Sequence, residues 1–506
     1  MPLLRLIAEG VGPFERLDID LSDGKGNPHL GPHIFAGVNG SGKSTVLRTL
    51  AWVMDRGGSG FSYPDWAHLL AGHRDSRALL AIKPHESAVR VAACATNGRV
   101  SVGDLTDTER RERLVNWVRS VLHSPSFDDS PLASLGLEAF EGTGLPVSKT
   151  GAYSLSNNAY SFSNTAYPFP QSYSAGPDQP EGTTRVLFRD VGAANEPGLL
   201  FNAAAYSPSR ALRHLAAVDL TRRLEHAQEN ALSFEGTVQN DVVQSWLVGL
   251  YSKRAIARAR QQSGDQYTRT LDRFENALRL LYDKSVSFDV ELEPNLQPCL
   301  KAFGRNLDFS QLPDGVRSTV GWIADYMMRQ DLAPWHPSLK EKRPGVLLLD
   351  EVDAHLHPLW QRKLLPAMRE ALPDVQILVT SHSPFVISSC PGSRVHVLDL
   401  DSAGHATVRL SEDAPIGESV TATLKEIFGV ESRFDVLTER QLDDWNTLKK
   451  RDVTGSLSAT DKARLKELTI TLAERSEELR SIVASPMTIP DSVVRSLTEP
   501  KRKKRA

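Results

Sequence analysis

Apolar residues recur at alternate positions early in the chain, at Leu4 and Leu6 and again at Leu17, Ile19 and Leu21. The run breaks at Asp23-Gly24-Lys25-Gly26 and resumes at His33-Ile34-Phe35-Ala36. A period of two predicts strands, so two or three strands lead into the glycine-rich stretch that follows. From Ser44 the spacing becomes helical, with Val46, Leu47, Leu50 and Val53 on one face. Val346-Leu347-Leu348-Leu349 and Gln376-Ile377-Leu378-Val379-Thr380 are short apolar runs of the kind buried on both faces of a parallel sheet, and Val395 to Leu398 reads as a further strand. Helical spacing with charge-rich turns covers Ser209 to about Lys284 and returns after Val430, notably over Lys462 to Arg480.

One stretch fits neither period. Residues 142–184 are dominated by Ser, Asn, Gly, Pro, Thr and Tyr, which marks a low-complexity insertion. Inside it a seven-residue pattern repeats: Ala152-Tyr153-Ser154-Leu155-Ser156-Asn157, Ala159-Tyr160-Ser161-Phe162-Ser163-Asn164 and Ala166-Tyr167-Pro168-Phe169-Pro170-Gln171. Ser, Asn and Pro exclude a coiled-coil heptad. The ordinary reading is a mobile surface loop; the sharper one is an aromatic strip for a partner strand or single-stranded nucleic acid.

Composition narrows the class. The chain has 506 residues, 40% hydrophobic and 24% charged, in the range of a globular protein of about three domains or of one large domain carrying insertions. Its formal charge of −3 gives no whole-chain basicity, so nucleic-acid contact would have to be local. Local candidates are the helical segment (Lys253, Arg254, Arg258, Arg260, Arg269, Arg273, Arg279) and the terminal run Lys501-Arg502-Lys503-Lys504-Arg505, although such charges are usually solvated. No apolar run approaches the ~18 residues that span a bilayer, and the first residues read directly as strand instead of as a leader, so a cytoplasmic location without membrane contact is expected. Cys94, Cys299 and Cys390 stand far apart, which excludes a thiolate zinc finger and leaves them as core thiols.

The chemistry sits at the strand ends. Gly37-Val38-Asn39-Gly40-Ser41-Gly42-Lys43-Ser44, with Thr45 next, fits GxxxxGK[ST] between a predicted strand and a predicted helix. Glycines there let backbone N–H groups close around phosphate oxygens, Lys43 reaches the β- and γ-oxygens of ATP, and Ser44 offers a hydroxyl to Mg²⁺. The run Val346–Leu349 ends in Asp350-Glu351: Asp350 is expected in the Mg²⁺ shell and Glu351 as the group that orients and deprotonates water. The next apolar strand delivers His382 into a loop where it can bond the γ-phosphate.

In this order, with Leu312-Pro313-Asp314-Gly315-Val316-Arg317-Ser318 before Asp350 and Ala354-His355-Leu356-His357-Pro358 after it, the motifs resemble an ABC-type ATPase head. The resemblance implies an α/β fold of two lobes, paired heads with ATP between them, a signature at Leu312–Ser318 with Gly315 and Ser318 facing nucleotide, and a D-loop at 354–358. The family signature usually carries serine where this chain has Pro313, which has no side-chain donor, so slow turnover is expected. No Q-loop glutamine is placed.

More than half the chain separates Lys43 from Asp350, which argues against a transporter cassette, and the helical segment is too short for long coiled-coil arms. The motifs are most similar to RecF-like and OLD-like bacterial ATPases, and among these to the PtuA-type ATPase subunits of the Septu and retron anti-phage systems. That resemblance implies homodimers or larger assemblies through the heads and a separate HNH-type nuclease partner. Asp399 and Asp401 form a DxD, but no further alternating strands follow, so a fused nuclease is not expected. The expected division is 1–141 as an N-terminal lobe, 142–184 as the insertion, 185–300 as the rest of that lobe with a helical arm, 301–412 as the second part of the head, and 413–506 as a C-terminal helical region. The favoured function is ATP binding and slow hydrolysis that regulates the nuclease; the alternatives are a RecF-like repair ATPase acting on DNA and a nucleotide-binding scaffold with little hydrolysis.

Overall fold

A computed structural model of the protein describes residues 3–54, 75–82, 90–97, 159–163 and 199–484, apart from 214, 216–217, 283–285, 294, 303, 416, 418 and 431–433. The chain divides into two units, 1–428 and 429–506.

The first unit begins with the expected strands β1 (Leu3–Val11), β2 (Phe14–Asp20) and β3 (His33–Gly37), followed by helix α1 (Lys43–Met54). Then come β4 (Asp75–Ile82), β5 (Arg90–Asn97), β6 (Ala159–Ser163) and β7 (Asn202–Tyr206). Helices α2 (Asn240–Ala259) and α3 (Asp265–Leu281) precede β8 (Ser287–Glu291), β9 (Gln297–Ala302) and β10 (Arg305–Asp308). The chain continues through α4 (Asp314–Leu332), β11 (Gly345–Leu349), α5 (Pro358–Ala371), β12 (Val375–Thr380) and α6 (Pro384–Ile387). It closes with β13 (Arg394–Leu400), β14 (Ala406–Asp413) and α7 (Val420–Phe428).

The central sheet has the order β14-β13-β3-β12-β11-β7 and is parallel except for β14. Its apolar runs are buried on both faces because each face carries its own core. Along β11, Leu347 and Leu349 pack with α2, α3, α4 and α5, while Val346 and Leu348 pack with α1 and the N-terminal strands. A second sheet, β2-β1-β4-β5-β6, is antiparallel throughout. β1 departs from simple alternation, since almost every residue in it is buried between β2 and β4. Its Arg5 is accommodated by a two-pronged pairing with Asp18, both bonds at 2.8 Å. The α/β class expected from the sequence is the one observed.

Two sequence expectations are refined. The helical pattern from Ser209 to Lys284 resolves into α2 and α3; before Asn240 the chain runs in turns, and Ala227, Glu229 and Thr237 there give their carbonyls to the buried Arg329. Both helices bury a face (Val243 and Leu247; Phe274 and Leu278) in the same core as the central sheet. Most of the 142–184 insertion lies outside the described residues, but the second copy of its repeat supplies β6, paired antiparallel with β5 at the sheet edge.

Asp399 and Asp401 serve a hairpin. Asp401 accepts from the amides of Ala403 and His405 in the β13–β14 turn, and Asp399 lies 3.5 Å from Arg409. Among the described residues no cluster of His, Cys, Asp and Glu could hold a metal ion, and no helix is long and apolar enough to cross a membrane. Cys299 and Cys390 are buried free thiols, as expected; the side chain of Cys94 lies outside the described residues, as does the terminal basic run.

At the opposite end of β3 from the glycine-rich loop, His33 and His396 are fully buried, stacked at 5.3 Å between ring centres, with His33 Nδ1 and His396 Nε2 3.0 Å apart. Burial pushes both below the usual histidine range, His396 to about 3. A histidine depressed in the folded state contributes stability that is complete above its unfolded pKa, near 6.5, and lost as pH falls. Urea unfolding of the first unit is expected to show a loss of about 2 kcal/mol between pH 7 and 5 through His396, with His33 acting in the same direction and His396→Gln giving a visibly shallower slope. An unchanged slope would show that the pair does not set acid stability.

The second unit consists of α8 (Val436–Val453), α9 (Ala459–Arg475) and α10 (Glu477–Ala484). Its own core contains Leu442, Trp445, Leu448, Leu465, Leu468, Leu472, Leu479 and Val483. Asp435 and Ser458 cap α8 and α9 through their side-chain oxygens.

Candidate nucleotide site

The loop from β3 into α1 is built by glycine. Gly37, Gly40 and Gly42 have φ of +146°, +84° and +86°. At two of them space is decisive as well: a β-carbon on Gly37 would lie 2.0 Å from the Leu398 carbonyl oxygen, and one on Gly42 would lie 2.4 Å from the Phe14 ring. Lys43 opens α1, and its Nζ donates to the carbonyls of Gly37 (3.2 Å) and Val38 (2.8 Å). Burial pushes its pKa down, and the charges of Asp350, Glu351 and Asp353 oppose that shift. Ser41 Oγ is buried without a partner among the described residues, whereas Asn39 and Gly40 lie exposed on the loop. Thr45 packs against the β1–β2 turn, its Cγ2 2.6 Å from where a β-carbon on Gly12 would sit.

Strand order brings the carboxylates to this loop. β12 lies between β3 and β11, so Asp350, just beyond β11, reaches Ser44 across the end of β12. Ser44 Oγ donates to Asp350 Oδ1 at 2.8 Å, and Thr380 Oγ1 donates to the same oxygen at 2.6 Å. Thr380 Oγ1 also accepts from the Glu351 amide at 2.7 Å. Glu351 is exposed and adopts φ +45°, a conformation that costs a non-glycine residue about 1–3 kcal/mol and persists only where its surroundings fix it. The buried Arg210 donates to the carbonyls of Asp350 (2.7 Å), Glu351 (3.1 Å) and Ser207 (3.0 Å). Burial pushes its pKa down to about 10, against the pull of Asp350, Asp353 and Glu351.

His382 follows β12 on the exposed rim of the site. Partial burial and the charge of Lys43 lower its pKa despite the opposing carboxylates, so its imidazole is neutral at pH 7. The next residue, Ser383, donates to Gln361 Oε1 at 2.7 Å, while Gln361 Nε2 donates to the carbonyls of Asp353 (3.3 Å) and Leu356 (2.9 Å). One glutamine thus fastens the His382 loop to residues 353–356.

Gly315 and Ser318 are not part of this cluster within one chain. Gly315, in the first turn of α4, lies under His355, where a β-carbon would meet the His355 carbonyl oxygen at 2.2 Å. Ser318 is buried, and Asp314 pairs with Arg317. Pro313 precedes α4 and supplies no side-chain cap. Arg210, Thr380 and Gln361 were missed as site residues from the sequence. Thr380 had a signal, a hydroxyl ending a buried apolar strand; Arg210 and Gln361 had none, because their roles come from which carbonyls the fold puts beside them.

Residues 251–388 match the family described as "AAA domain, putative AbiEii toxin, Type IV TA system". The chain is 30% identical over 192 residues to a Septu protein PtuA of Bacillus thuringiensis, covering 35% of this chain and 45% of that protein. It is 23% identical over 171 residues to the Retron Vc95 probable ATPase of Vibrio cholerae, covering 31% of this chain and 33% of that protein. The chain thus spans less than half the length of these curated relatives. A crystal structure of an SMC head bound to the C-terminal winged-helix domain of ScpA aligns over 81% of this chain and 97% of that one, with 12% identity and a TM-score of 0.41. By these matches, part of the chain is similar in sequence to a Septu protein PtuA and to a probable ATPase of a retron.

Proposed function

We propose that the chain is an ABC-type ATPase that binds ATP with Mg²⁺, hydrolyses it slowly, and in doing so regulates a separate nuclease, of HNH type by resemblance, in bacterial anti-phage defence. The observation that carries this reading is the joining of Ser44 to Asp350 beneath a glycine loop that opens a helix. The residues present fit the cofactor: Ser41 Oγ is a buried donor without a partner among the described residues, and a serine hydroxyl beside a carboxylate is the hard-oxygen set that suits Mg²⁺.

In this reading Ser44 and Asp350 hold Mg²⁺, which neutralises charge on the phosphates when bound. Lys43 leaves the Gly37 and Val38 carbonyls for phosphate oxygens, joined by amides of the loop from Asn39 to Thr45. Glu351 orients water and takes its proton, and neutral His382 donates to the γ-phosphate. Gly315 and Ser318 are buried within the chain, so contact with the nucleotide of a second copy falls to the exposed start of α4 at Pro313 and Asp314. Pro313 removes one donor there, which supports slow turnover.

The test is Glu351→Gln with Mg²⁺ and ATP. Hydrolysis is expected to fall on the order of 10²–10⁴-fold while ATP stays bound and assemblies of the chain accumulate in native mass spectrometry, together with the nuclease when both are co-expressed. Unchanged turnover would remove Glu351 from the reaction; assemblies that never include a nuclease would remove the regulatory role. A second reading, direct action on DNA, draws on α2: Lys253, Arg254 and Arg258 lie along its C-terminal half and Arg260 just past its end, with no Asp or Glu between Asp241 and Asp265. Strongly salt-dependent stimulation of hydrolysis by duplex DNA alone would favour that reading.

A further inference from the structure

The structure assigns to Arg210 the positioning of Glu351, and to the segment Ser207–Leu212 the coupling of that residue to helix α4; this inference rests on the ATPase reading above. Glu351 is exposed, so nothing packed around its carboxylate aims it. What is fixed is its backbone, and it is fixed at both ends: the amide by Thr380 Oγ1 and the carbonyl by Arg210 Nη2. Arg210 Nη1 holds the preceding carbonyl, that of Asp350, so one planar fork spans two successive peptide groups at the residue with φ +45°. A guanidinium suits this geometry, because two rigidly related donors meet two rigidly related acceptors, whereas an ammonium offers a single point charge.

The same segment touches α4. The carbonyl oxygen of Arg210 lies 2.6 Å from where a β-carbon on Gly321 would stand, and the Leu212 amide donates to the Arg317 carbonyl at 3.5 Å. Gly321 is a mid-helix glycine that only this close approach explains. A shift of α4, the helix whose first turn carries Gly315, is therefore passed through the backbone of residues 210–212 to the fork and to Glu351. The charge of Arg210 is not spent on phosphate: its Nη atoms face carbonyls, and its Nε is buried without a partner among the described residues.

The experiment compares the full-length native chain with Arg210→Lys, Gly321→Ala and Glu351→Gln, measuring the Kd for a fluorescent MgATP analogue and the single-turnover hydrolysis rate. Both Arg210→Lys and Gly321→Ala are expected to leave Kd within about threefold and to slow hydrolysis on the order of 100-fold. Combining Arg210→Lys with Glu351→Gln is expected to slow hydrolysis no further than Glu351→Gln alone, since the two act at one step. Gly321→Ala keeps the guanidinium and raises helix propensity, so it remains informative even if Arg210→Lys does not fold. Binding that weakens in step with turnover, turnover that is unchanged, or a full additional loss in the double variant would each overturn the assignment. A native chain that does not bind MgATP would overturn the ATPase reading, and this inference with it; native binding with an unaffected Arg210→Lys chain overturns the inference alone.

Discussion

Lys43→Ala is expected to abolish MgATP binding in practical terms, raising the Kd by at least about 100-fold, because hydrogen bonds to charged groups contribute roughly 1.5–3 kcal/mol each and the ammonium serves two phosphate oxygens. The chain holds this cation ready. Lys43 Nζ rests on the Gly37 and Val38 carbonyls, inside the loop a phosphate would enter, so binding exchanges two neutral acceptors for charged ones without moving the main chain. Burial lowers its pKa, but Asp350, Glu351 and Asp353 favour the charged form, and binding is expected to stay flat across neutral pH on its account. The fold does not depend on it: its partners are carbonyls of the loop alone, so thermal unfolding should change little. Calorimetric titration beside a melting curve separates the two effects. Tight binding by a folded Lys43→Ala chain would mean that the loop is not the nucleotide site.

The central sheet was legible because each of its strands announces itself. A run such as Val346–Leu349 is apolar at every position only if both faces are covered, and that implied a parallel sheet between two layers. The glycine loop was legible for a related reason: positive φ at Gly40 and Gly42 and the backbone of β13 against Gly37 leave no room for another residue type, so the constraint is written into the composition. Asp350 could be named as well, because a carboxylate ending a buried strand needs a partner, and Ser44 is that partner. What stayed hidden was acceptor geometry. Nothing local distinguishes Arg210 from a surface arginine; it is recognisable only once β7 is placed beside β11 and the carbonyls of Asp350 and Glu351 turn towards it. Gln361 is similar, an ordinary helical glutamine until α5 brings it under both the His382 loop and residues 353–356. The helical segment was overextended because the polar turns before Asn240 carry helix-compatible residues, while their carbonyls are claimed by a side chain a hundred residues away.

That side chain gives the largest expected effect on stability. Arg329→Met is expected to destabilise the first unit by roughly 3–5 kcal/mol, the cost of leaving one partner of a buried ion pair alone. Arg329 and Asp325 are both fully buried on α4 and joined at 2.7 Å, and Asp325 also accepts from Tyr206 Oη at 2.7 Å. Burial pushes the Asp325 carboxyl up and the guanidinium pulls it back, so removing the arginine leaves an acid that must take up a proton or remain a lone charge. The damage is wider than the pair, because Arg329 also satisfies the carbonyls of Ala227, Glu229 and Thr237, and no aliphatic side chain replaces those donors. For that reason an apolar exchange of both partners, Asp325→Leu with Arg329→Met, is expected to recover only part of the loss, unlike ion pairs whose partners bond nothing else. Urea unfolding followed by far-UV circular dichroism gives the midpoint, and Trp322, 6.3 Å from the Tyr206 ring, reports this region by fluorescence once the other seven of the eight tryptophans are replaced by phenylalanine. If Arg329→Met unfolded at the native midpoint, the turns of residues 227–237 would have to be held by something other than this arginine, and α4 would lose its claim to be anchored at its C-terminal half as firmly as the strands are by their cores.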